Sequence, residues 1–432
     1  MLRGREVHKA AAGGRVLPVV PPGGLRERNI DAIPGSPPDL RRLPPGCSFA
    51  PAVSIPAAGS PSLRARRRTR RLASGKDRNR NSWPATCTTW PRVTVGLRMS
   101  KPAANGTDPL AEVNDLSVRF VTREATVHAV NGVSFLVRPG EVLCILGESG
   151  SGKTVTLRAL MRLLPPRRTQ IEGRVRVEGH DILAMRPRAL RDLRGGLVSM
   201  VFQEPMTALD PVYTVGQQIG ETLRRHTGCD RRAARTRALE LLELVRIPSA
   251  ERRLDAYPHE LSGGLRQRAM IAMALSCNPR LLLADEPTTA LDATVQVQVL
   301  VLLRRLQREL GMGMVFVTHD IGVAAEIADT VAVMYAGRIV ESGPVAQVLK
   351  APAHPYTAGL LASTVHGQPR ERDICAIPGS PPDLRRLPPG CSFAPRCPRR
   401  TADCRRAVPE PRFPEPGHMA ACLRVTGAIA IL

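Results

Sequence analysis

Apolar and polar positions alternate in two stretches of this chain, and continuous apolar runs follow further along. The alternation over residues 113–120 and 130–137 predicts two strands of an antiparallel sheet, each with one buried face. Continuous apolar runs at residues 142–146, from 281 and from 314 predict strands that are buried on both faces, as in a parallel sheet.

Helical periodicity separates these strands. Residues from about 205 to 276 are predicted to form a helical subdomain, because leucines recur there at i, i+3 and i+4 spacing, as in residues 230–246. Another helix over residues 294–310 is predicted to end at Gly311. Strands that alternate with helices predict the α/β class. We expect this domain to span residues 110–345 and a smaller region to span residues 346–425.

A glycine-rich loop follows the first continuous apolar run. It has the form Gly-x-x-x-x-Gly-Lys-Thr, and it precedes a predicted helix. This strand–loop–helix context is typical of a loop whose backbone N–H groups hold the phosphates of a nucleotide. We therefore expect ATP to bind Gly147, Glu148, Ser149, Gly150, Ser151, Gly152, Lys153 and Thr154.

Residues 261–264, Leu-Ser-Gly-Gly, resemble the signature motif of the ATP-binding-cassette (ABC) ATPases. Other segments resemble the remaining motifs of that family in the expected order, and six motifs in register exclude an accidental match. The other segments are the loop at Gln203, the apolar strand ending in Asp285 and Glu286, residues 290–292, and the apolar strand followed by His319.

The resemblance implies a fold and a set of catalytic roles. The fold is the P-loop NTPase of the ABC type, with a RecA-like core, an antiparallel β subdomain and a helical subdomain. Glu286 is expected to polarise the attacking water, with His319 near the γ-phosphate and Gln203 sensing the metal and the water. The residues expected to hold Mg²⁺ are Thr154, Gln203 and Asp285.

The resemblance also implies that two subunits enclose two ATP molecules head to tail. Each site would combine the phosphate loop of one subunit with the signature segment of the other. Asp292 would lie in the loop that crosses the dimer interface. The residues expected to contact the partner's ATP are Ser262, Gly263, Gly264 and Gln267.

Three further segments resemble the oligopeptide/dipeptide (peptide/nickel) importer branch of the ABC family. They are residues 202–211, the His-Pro-Tyr-Thr element at residues 354–361, and residues 377–404. The resemblance implies an ATPase subunit at the cytoplasmic face of the inner membrane. Its partners would be a second related ATPase or a copy of itself, two permeases and an extracytoplasmic solute-binding protein.

Two other functions are open at this stage. The same machine imports nickel, glutathione or other small solutes in some members of the branch. The net charge of +24 favours a soluble ABC ATPase acting on nucleic acid or ribosomes. Ribosomal members usually carry two cassettes and DNA-repair members carry a long coiled coil. The sequence has neither feature, and we expect no nucleic acid partner.

The charge is concentrated in residues 1–98, which contain 19 Lys and Arg against 5 Asp and Glu. Residues 26–51 of this segment repeat residues 370–395 with only two differences. We interpret residues 1–98 as a disordered or read-through extension and expect the natural start at Met99. The alternative is a basic arm that binds nucleic acid or anionic lipid.

Four cysteines cluster in the C-terminal region: Cys391, Cys397, Cys404 and Cys422. In a chain that is expected to be cytosolic, clustered cysteines favour a metal over disulfides. No Cys-x-x-Cys pair is present, which argues against an ordinary zinc ribbon. Four thiolates suit a [4Fe–4S] cluster, and the tail resembles cluster-binding importer ATPases. Zinc, or four free thiols in a Pro-rich tail, are the alternatives.

Overall fold

The computed structural model describes residues 108–289, 291–363 and 376–425. Outside the described residues lie the predicted extension 1–98, which includes the repeat at residues 26–51, and Ala290 of the predicted dimer-interface loop. The strands are β1 (Ala111–Val121), β2 (Thr126–Val137), β3 (Val142–Leu146), β4 (Thr169–Val177), β5 (His180–Asp181), β6 (Val198–Val201), β7 (Leu281–Asp285), β8 (Gly313–Thr318), β9 (Thr330–Tyr335), β10 (Arg338–Pro344), β11 (Arg412–Glu415) and β12 (His418–Ala420).

The α-helices occupy the connections between the strands and the segments around them. They are α1 (Lys153–Leu160), α2 (Pro187–Leu193), α3 (Pro205–Ala208), α4 (Val215–Thr227), α5 (Arg231–Leu244), α6 (Ala250–Leu254), α7 (Gly263–Leu275), α8 (Ala293–Leu310), α9 (Ile321–Ile327), α10 (Val345–Lys350) and α11 (Pro355–Ala362). None of the helices among the described residues is long and apolar enough to cross a membrane.

The smaller sheet has the strand order β2-β1-β4-β5. Strands β1 and β2 pair antiparallel, and Ala111 lies opposite Val137, which confirms the prediction made from the alternating pattern. Val113, Leu116 and Val118 are buried in β1, so this sheet presents an apolar face to the rest of the domain. The alternation works because successive side chains of a strand point to opposite faces.

Within the described ranges the larger sheet has eight strands, in the order β11-β12-β10-β9-β3-β8-β7-β6. Strands β9, β3, β8, β7 and β6 are parallel to one another. Every residue of β3, β7 and β8 is buried, as the continuous apolar runs predicted. The carboxyl ends of these parallel strands therefore meet at one edge, which is where α/β sheets place ligands.

Helices α3 to α7 occupy the stretch that the sequence predicted to be helical. Helix α4 begins with a capping box in which Thr214 and Gln217 satisfy each other's backbone N–H groups. Asp230 caps α5, whose Leu241 and Leu242 are fully buried. Helices α4 and α5 therefore have both the cap and the apolar face that a short helix needs to be stable in a protein.

The C-terminal region adds two strands to the main sheet. Strand β12 pairs with β10, with Ala420 opposite Glu341. The fully buried Glu341 carboxylate accepts hydrogen bonds from the backbone N–H groups of Ala353 (2.6 Å) and His354 (3.0 Å), and His418 Nε2 lies 2.7 Å from it. A buried charge is tolerated only when it is paired and hydrogen-bonded. Glu341 thus joins β10, β12 and the start of α11.

Candidate active site

The glycine-rich loop connects β3 to α1 and encloses its own lysine. Lys153, the first residue of α1, donates hydrogen bonds from Nζ to the carbonyl oxygens of Gly147 (2.8 Å) and Glu148 (2.9 Å). Gly152 caps the helix with φ +105°, and a Cβ there would clash with the carbonyl oxygen of Ala129. Only glycine combines that backbone conformation with such a close approach. The residue type at this position is therefore dictated by the turn.

The loop places a buried ammonium close to two carboxylates. Lys153 is only 4% exposed, and burial lowers its pKa, while the charges of Glu286 and Asp285 oppose that shift. Burial also raises the pKa of Asp285. Each of these groups costs free energy to bury, and each depends on the opposite charge nearby. An entering triphosphate would supply further negative charge for Lys153 to bind.

Asp285 and Thr154 form the part of the site that suits a magnesium ion. Thr154 Oγ1 donates a hydrogen bond to Asp285 Oδ1 at 2.7 Å. Asp285 Oδ2 is buried and has no hydrogen-bond partner among the described residues. Unpartnered buried oxygens are rare in native proteins, and a carboxylate oxygen is the ligand that Mg²⁺ prefers. The donor set therefore fits the predicted ion.

Glu286 follows β7 and is the point at which several loops converge. Its Oε2 accepts hydrogen bonds from Thr289 Oγ1 (2.9 Å) and Gln203 Nε2 (3.3 Å), and it lies 3.1 Å from His319 Nδ1. The backbone of Glu286 has φ +45°, which non-glycine residues seldom adopt and which clusters at functional sites. The structure therefore brings together Gln203, Glu286 and His319, which the sequence assigned to catalysis.

The signature segment lies at the start of α7 and presents small groups to the surface. Ser262 is the exposed N-cap residue, and its side chain makes no capping hydrogen bond. A Cβ on Gly263 would meet no atom within 4 Å, whereas one on Gly264 would lie 2.7 Å from Val295 Cγ1. None of the hydrogen bonds among the described residues joins this segment to the phosphate loop. Ser262 and Gly263, at the exposed start of α7, are therefore open to contact with another molecule.

Gln267 does not share this exposure. It lies on α7 but is only 1% exposed, with its Nε2 buried. The expectation that Gln267 contacts a partner's ATP stays a prediction. In this conformation Gln267, the fourth residue after the signature's Gly263, turns back into the core at helical spacing. Asp292 is exposed and caps α8 by accepting a hydrogen bond from the Val295 N–H at 3.0 Å.

Two residues near the loop were missed by sequence reasoning. The Tyr356 hydroxyl accepts a hydrogen bond from the backbone N–H of Glu148 at 2.9 Å. The Arg396 guanidinium donates to both carboxylate oxygens of Glu148, at 2.8 and 3.1 Å. Arg396 and Glu148 are 248 positions apart in the chain, so no local pattern could have related them.

The four C-terminal cysteines line one cavity together with His354 and Phe393. None of the four is in a disulfide. No group of three or more His, Cys, Asp or Glu side chains in the described part of the chain is arranged to hold a single metal ion. The structure thus brings the predicted cysteines together, but not as the ligands of one ion.

The four thiols have polar groups nearby. Burial raises the pKa of Cys391 and of Cys397, while the backbone of Phe393 and Ala394 opposes the shift at Cys391 and that of Arg399 opposes it at Cys397. Cys422 Sγ accepts the Arg424 N–H at 3.5 Å, and Cys404 Sγ lies 3.4 Å from a threonine hydroxyl. Burial raises the pKa of Cys397 to about 11, which favours the neutral thiol at that position.

Comparisons with known proteins agree with this geometry. The family model described as ABC transporter matches residues 130–289. The model described as the C-terminal region of the oligopeptide/dipeptide transporter matches residues 340–404. Among solved structures, the ATP-binding cassette MJ0796, in a dimeric post-hydrolysis state bound to ADP and Pi, has a TM-score of 0.50 and 29% identity. It covers 54% of this chain and 98% of its own.

Curated relatives match over nearly their whole length. A protein of Brucella melitensis, named as a peptide import ATP-binding protein, is 52% identical over 328 residues, which is 73% of this chain and 97% of the relative. A protein of Sinorhizobium fredii, named as a peptide ABC transporter ATP-binding protein, is 48% identical over 331 residues, which is 76% of this chain and 98% of the relative. With both family models matched and the ATP motifs assembled around Glu286, the chain belongs to the ABC transporter ATP-binding proteins of the oligopeptide/dipeptide importer family.

Proposed function

We propose that this protein is the ATP-hydrolysing subunit of an ABC importer that carries di- and oligopeptides into the cell. The observation that carries the hydrolysis part of the proposal is the convergence of Gln203, Thr289 and His319 on one carboxylate oxygen of Glu286. This arrangement holds a general base at a fixed point near the site where a γ-phosphate would lie. Similarity to peptide import ATP-binding proteins supports the peptide part.

Hydrolysis follows from the roles of these side chains. The loop N–H groups and Lys153 hold the triphosphate, and Glu286 takes a proton from the water that attacks the γ-phosphorus. His319, whose Nδ1 faces Glu286, orients that carboxylate and stabilises charge on the γ-phosphate. Asp285, Thr154 and Gln203 would hold Mg²⁺, which neutralises charge on the phosphate oxygens when it is bound. The products are ADP and inorganic phosphate.

The ATPase is proposed to act as one half of a dimer. The exposed Ser262 and Gly263 lie at the N-terminus of α7, where backbone N–H groups favour an anion. The similarity to a dimeric ATP-binding cassette supports the same arrangement here. ATP bound between two subunits stabilises the closed state, and its hydrolysis removes those contacts. The second subunit is a related ATPase or a copy of this chain.

Two permeases are the proposed membrane partners, with an extracytoplasmic solute-binding protein on the other side. Met206, Val212 and Tyr213 are exposed large apolar side chains in the segment after Gln203. Apolar groups clustered at a surface favour a protein contact. Contact there would transmit a change at Gln203 to the permeases and place this subunit at the cytoplasmic face of the membrane.

Transport assays test the proposal. The complete transporter is reconstituted with its neighbouring permeases and binding protein, and uptake of labelled dipeptide, labelled glutathione and ⁶³Ni²⁺ is measured. We expect ATP-dependent dipeptide uptake that is lost in Glu286→Gln. Uptake of nickel or glutathione without peptide would instead support the alternative solutes, and co-purification with RNA but no permease would overturn the importer assignment.

We further propose that the four C-terminal cysteines bind a [4Fe–4S] cluster. Four sulfurs that line one cavity form a donor set that fits this cluster. Cluster binding would displace the thiol protons and stabilise the region.

Metal analysis of anaerobically purified protein tests this second proposal. We expect about four irons and four sulfides per chain, lost in Cys397→Ser and retained in Cys277→Ser, whose thiol lies elsewhere in the core. Stoichiometric zinc without iron would replace the cluster by a zinc site. Absence of both metals, with all four thiols open to alkylation in the folded protein, would leave free thiols.

A further inference from the structure

The phosphate loop is held from outside by two residues of the C-terminal half. Arg396, between Cys391 and Cys397, forms a two-bond ion pair with the Glu148 carboxylate. Its side chain is 6% exposed and that of Glu148 is 26% exposed. Tyr356, on α11, accepts the Glu148 backbone N–H. Glu148 of the loop is thus held by hydrogen bonds at both its backbone N–H and its side chain.

Arg396 is itself fixed in place. Its Nε donates to the carbonyl oxygen of Pro378 (2.9 Å) and its Nη2 to that of Ile377 (3.3 Å). The hydrogen bonds with Glu148 raise the pKa of Arg396 further. A planar guanidinium that is already held by carbonyl groups loses little conformational freedom when it binds a carboxylate in two places. The ion pair is therefore a rigid contact and differs from a mobile surface bridge.

Tyr356 packs in a cluster of three aromatic side chains. The rings of Tyr335 and Tyr356 have centroids 4.5 Å apart, and Phe393 lies edge-on to Tyr335 at 5.3 Å. All three are almost fully buried. Phe393 belongs to residues 376–404, here called the cysteine segment. Tyr335 is the last residue of β9 in the larger sheet. This packing connects the position of the cysteine segment to the position of the Tyr356 hydroxyl.

Both contacts bear on how the loop meets a triphosphate. Glu148 puts a negative charge in a loop that must bind polyphosphate, and Arg396 compensates that charge. Because the Glu148 N–H donates to the Tyr356 hydroxyl, only the other N–H groups of the loop remain to bind the phosphates. Phosphate loops work by aiming several N–H groups at one anion. Without the Tyr356 bond the backbone at Glu148 would lose an anchor and the other N–H groups would be aimed less well. Without Arg396 the Glu148 charge would be uncompensated, so loss of either contact should weaken ATP binding.

We propose that Arg396 and Tyr356 are positioning residues for the phosphate loop, so that docking of the C-terminal cysteine segment sets the ATP affinity of this subunit. The inference rests on the proposed ATPase function. It predicts an effect on ATP binding and KM, while kcat at saturating ATP, which depends on Glu286, stays close to that of the wild type.

The test uses the full chain in the reconstituted transporter, with titration of a fluorescent ATP analogue and steady-state hydrolysis. We expect Arg396→Gln to raise the Kd and the KM for ATP about tenfold, with kcat changed less than twofold. Tyr356→Phe should act in the same direction. The matched control is Arg385→Gln, which removes an exposed pair with Asp383 on the same segment and should leave both constants unchanged.

A double variant separates compensation of charge from general damage. In Arg396→Gln with Glu148→Gln the uncompensated carboxylate is gone, so ATP affinity should recover most of the loss. A double variant no better than Arg396→Gln, or an Arg396→Gln protein with wild-type affinity, would overturn the inference. If the wild-type transporter hydrolyses no ATP, the proposed function fails. If it hydrolyses ATP and the variants match it, only this inference fails.

Discussion

Glu286 combines a strained backbone with a carboxylate that three other side chains contact. A left-handed φ at a non-glycine residue costs on the order of 1–3 kcal/mol, and it persists only when the surroundings hold it. Here the hydrogen bond from the Glu286 N–H to the carbonyl oxygen of Val317 and the contacts at Oε2 provide that hold. The residue is therefore placed for chemistry at the expense of stability.

Glu286→Gln should separate hydrolysis from binding. The amide keeps the shape of the side chain but cannot accept a proton, so kcat should fall about 100-fold or more. ATP binding should be preserved, whereas Lys153→Ala should weaken it, because Lys153 contacts phosphate charge. Steady-state hydrolysis and nucleotide titration of the assembled transporter measure the two effects. Near-normal turnover by Glu286→Gln would exclude its role as the base.

Gly263→Ala should affect the partner site while sparing the fold. A Cβ at Gly263 meets no atom of its own chain within 4 Å, and replacing glycine in a helix by alanine stabilises by about 0.5–1 kcal/mol. We expect an unchanged or raised Tm but loss of ATP-dependent dimerisation. Gly264→Ala is the comparison: its Cβ would press on Val295, so its Tm should fall. Normal dimerisation of Gly263→Ala would argue against contact with the partner's ATP.

At the scale of elements, helix α11 begins with a buried histidine that acts as its cap. His354 Nδ1 accepts the Tyr356 N–H at 3.1 Å, and the ring is only 1% exposed. Burial lowers its pKa to about 4, while the nearby Glu341 carboxylate opposes the shift. The start of α11, and with it the Tyr356 contact to the phosphate loop, therefore depends on a neutral imidazole.

Because of His354, the free energy of unfolding should decrease as the pH is lowered. Unfolded histidine titrates near pH 6.5, so the unfolded chain takes up a proton before the native one does. The stabilisation is complete above pH 6.5 and is lost progressively as the pH falls from about 6.5 to about 4, which is roughly 2 kcal/mol at pH 5. Asparagine can also cap a helix but does not titrate. His354→Asn should thus show a smaller drop in Tm between pH 7.5 and pH 5. An equal drop in both proteins would refute this account.

At the scale of the whole molecule, Glu341 holds the C-terminal region to the ATPase core. Its carboxylate serves the start of α11 and His418 on β12, and both it and His418 are almost completely buried. Removing one partner of a buried hydrogen-bonded charge costs about 3–5 kcal/mol, because the remaining groups stay buried without partners. The arrangement makes β11, β12 and the cysteine segment part of one folded unit with the main sheet.

Glu341→Ala should loosen this region selectively. Hydrogen exchange should accelerate at residues 412–420 and 353–358, while helices α4 and α5 keep their protection because they pack on another part of the core. Asp192→Asn, which removes the exposed pair with Arg225, is the control and should change Tm little, since such pairs contribute about 0–1 kcal/mol. Uniform acceleration across the protein would mean that Glu341 stabilises the fold globally.

Local pattern was sufficient for the α/β class, the buried strands and the ATP motifs. The alternating and continuous apolar runs directly reflect which faces of a strand are buried, and the loop at residues 147–154 has a form that few other functions require. Ser262, Gly263 and Gly264 were recognisable for the same reason. The [4Fe–4S] cluster and the boundaries of the domains stay predictions.

Only the tertiary structure determined that Gln267 is buried and that the C-terminal region adds two strands to the sheet. The same is true of the hydrogen bonds that Arg396 and Tyr356 form with Glu148. In each case the relevant partner lies far away in the chain or on the opposite face of a helix. Composition and spacing report only local preference. The pairing of distant charges and strand edges depends on how the chain packs, because only packing determines which polar groups lose water and must find each other.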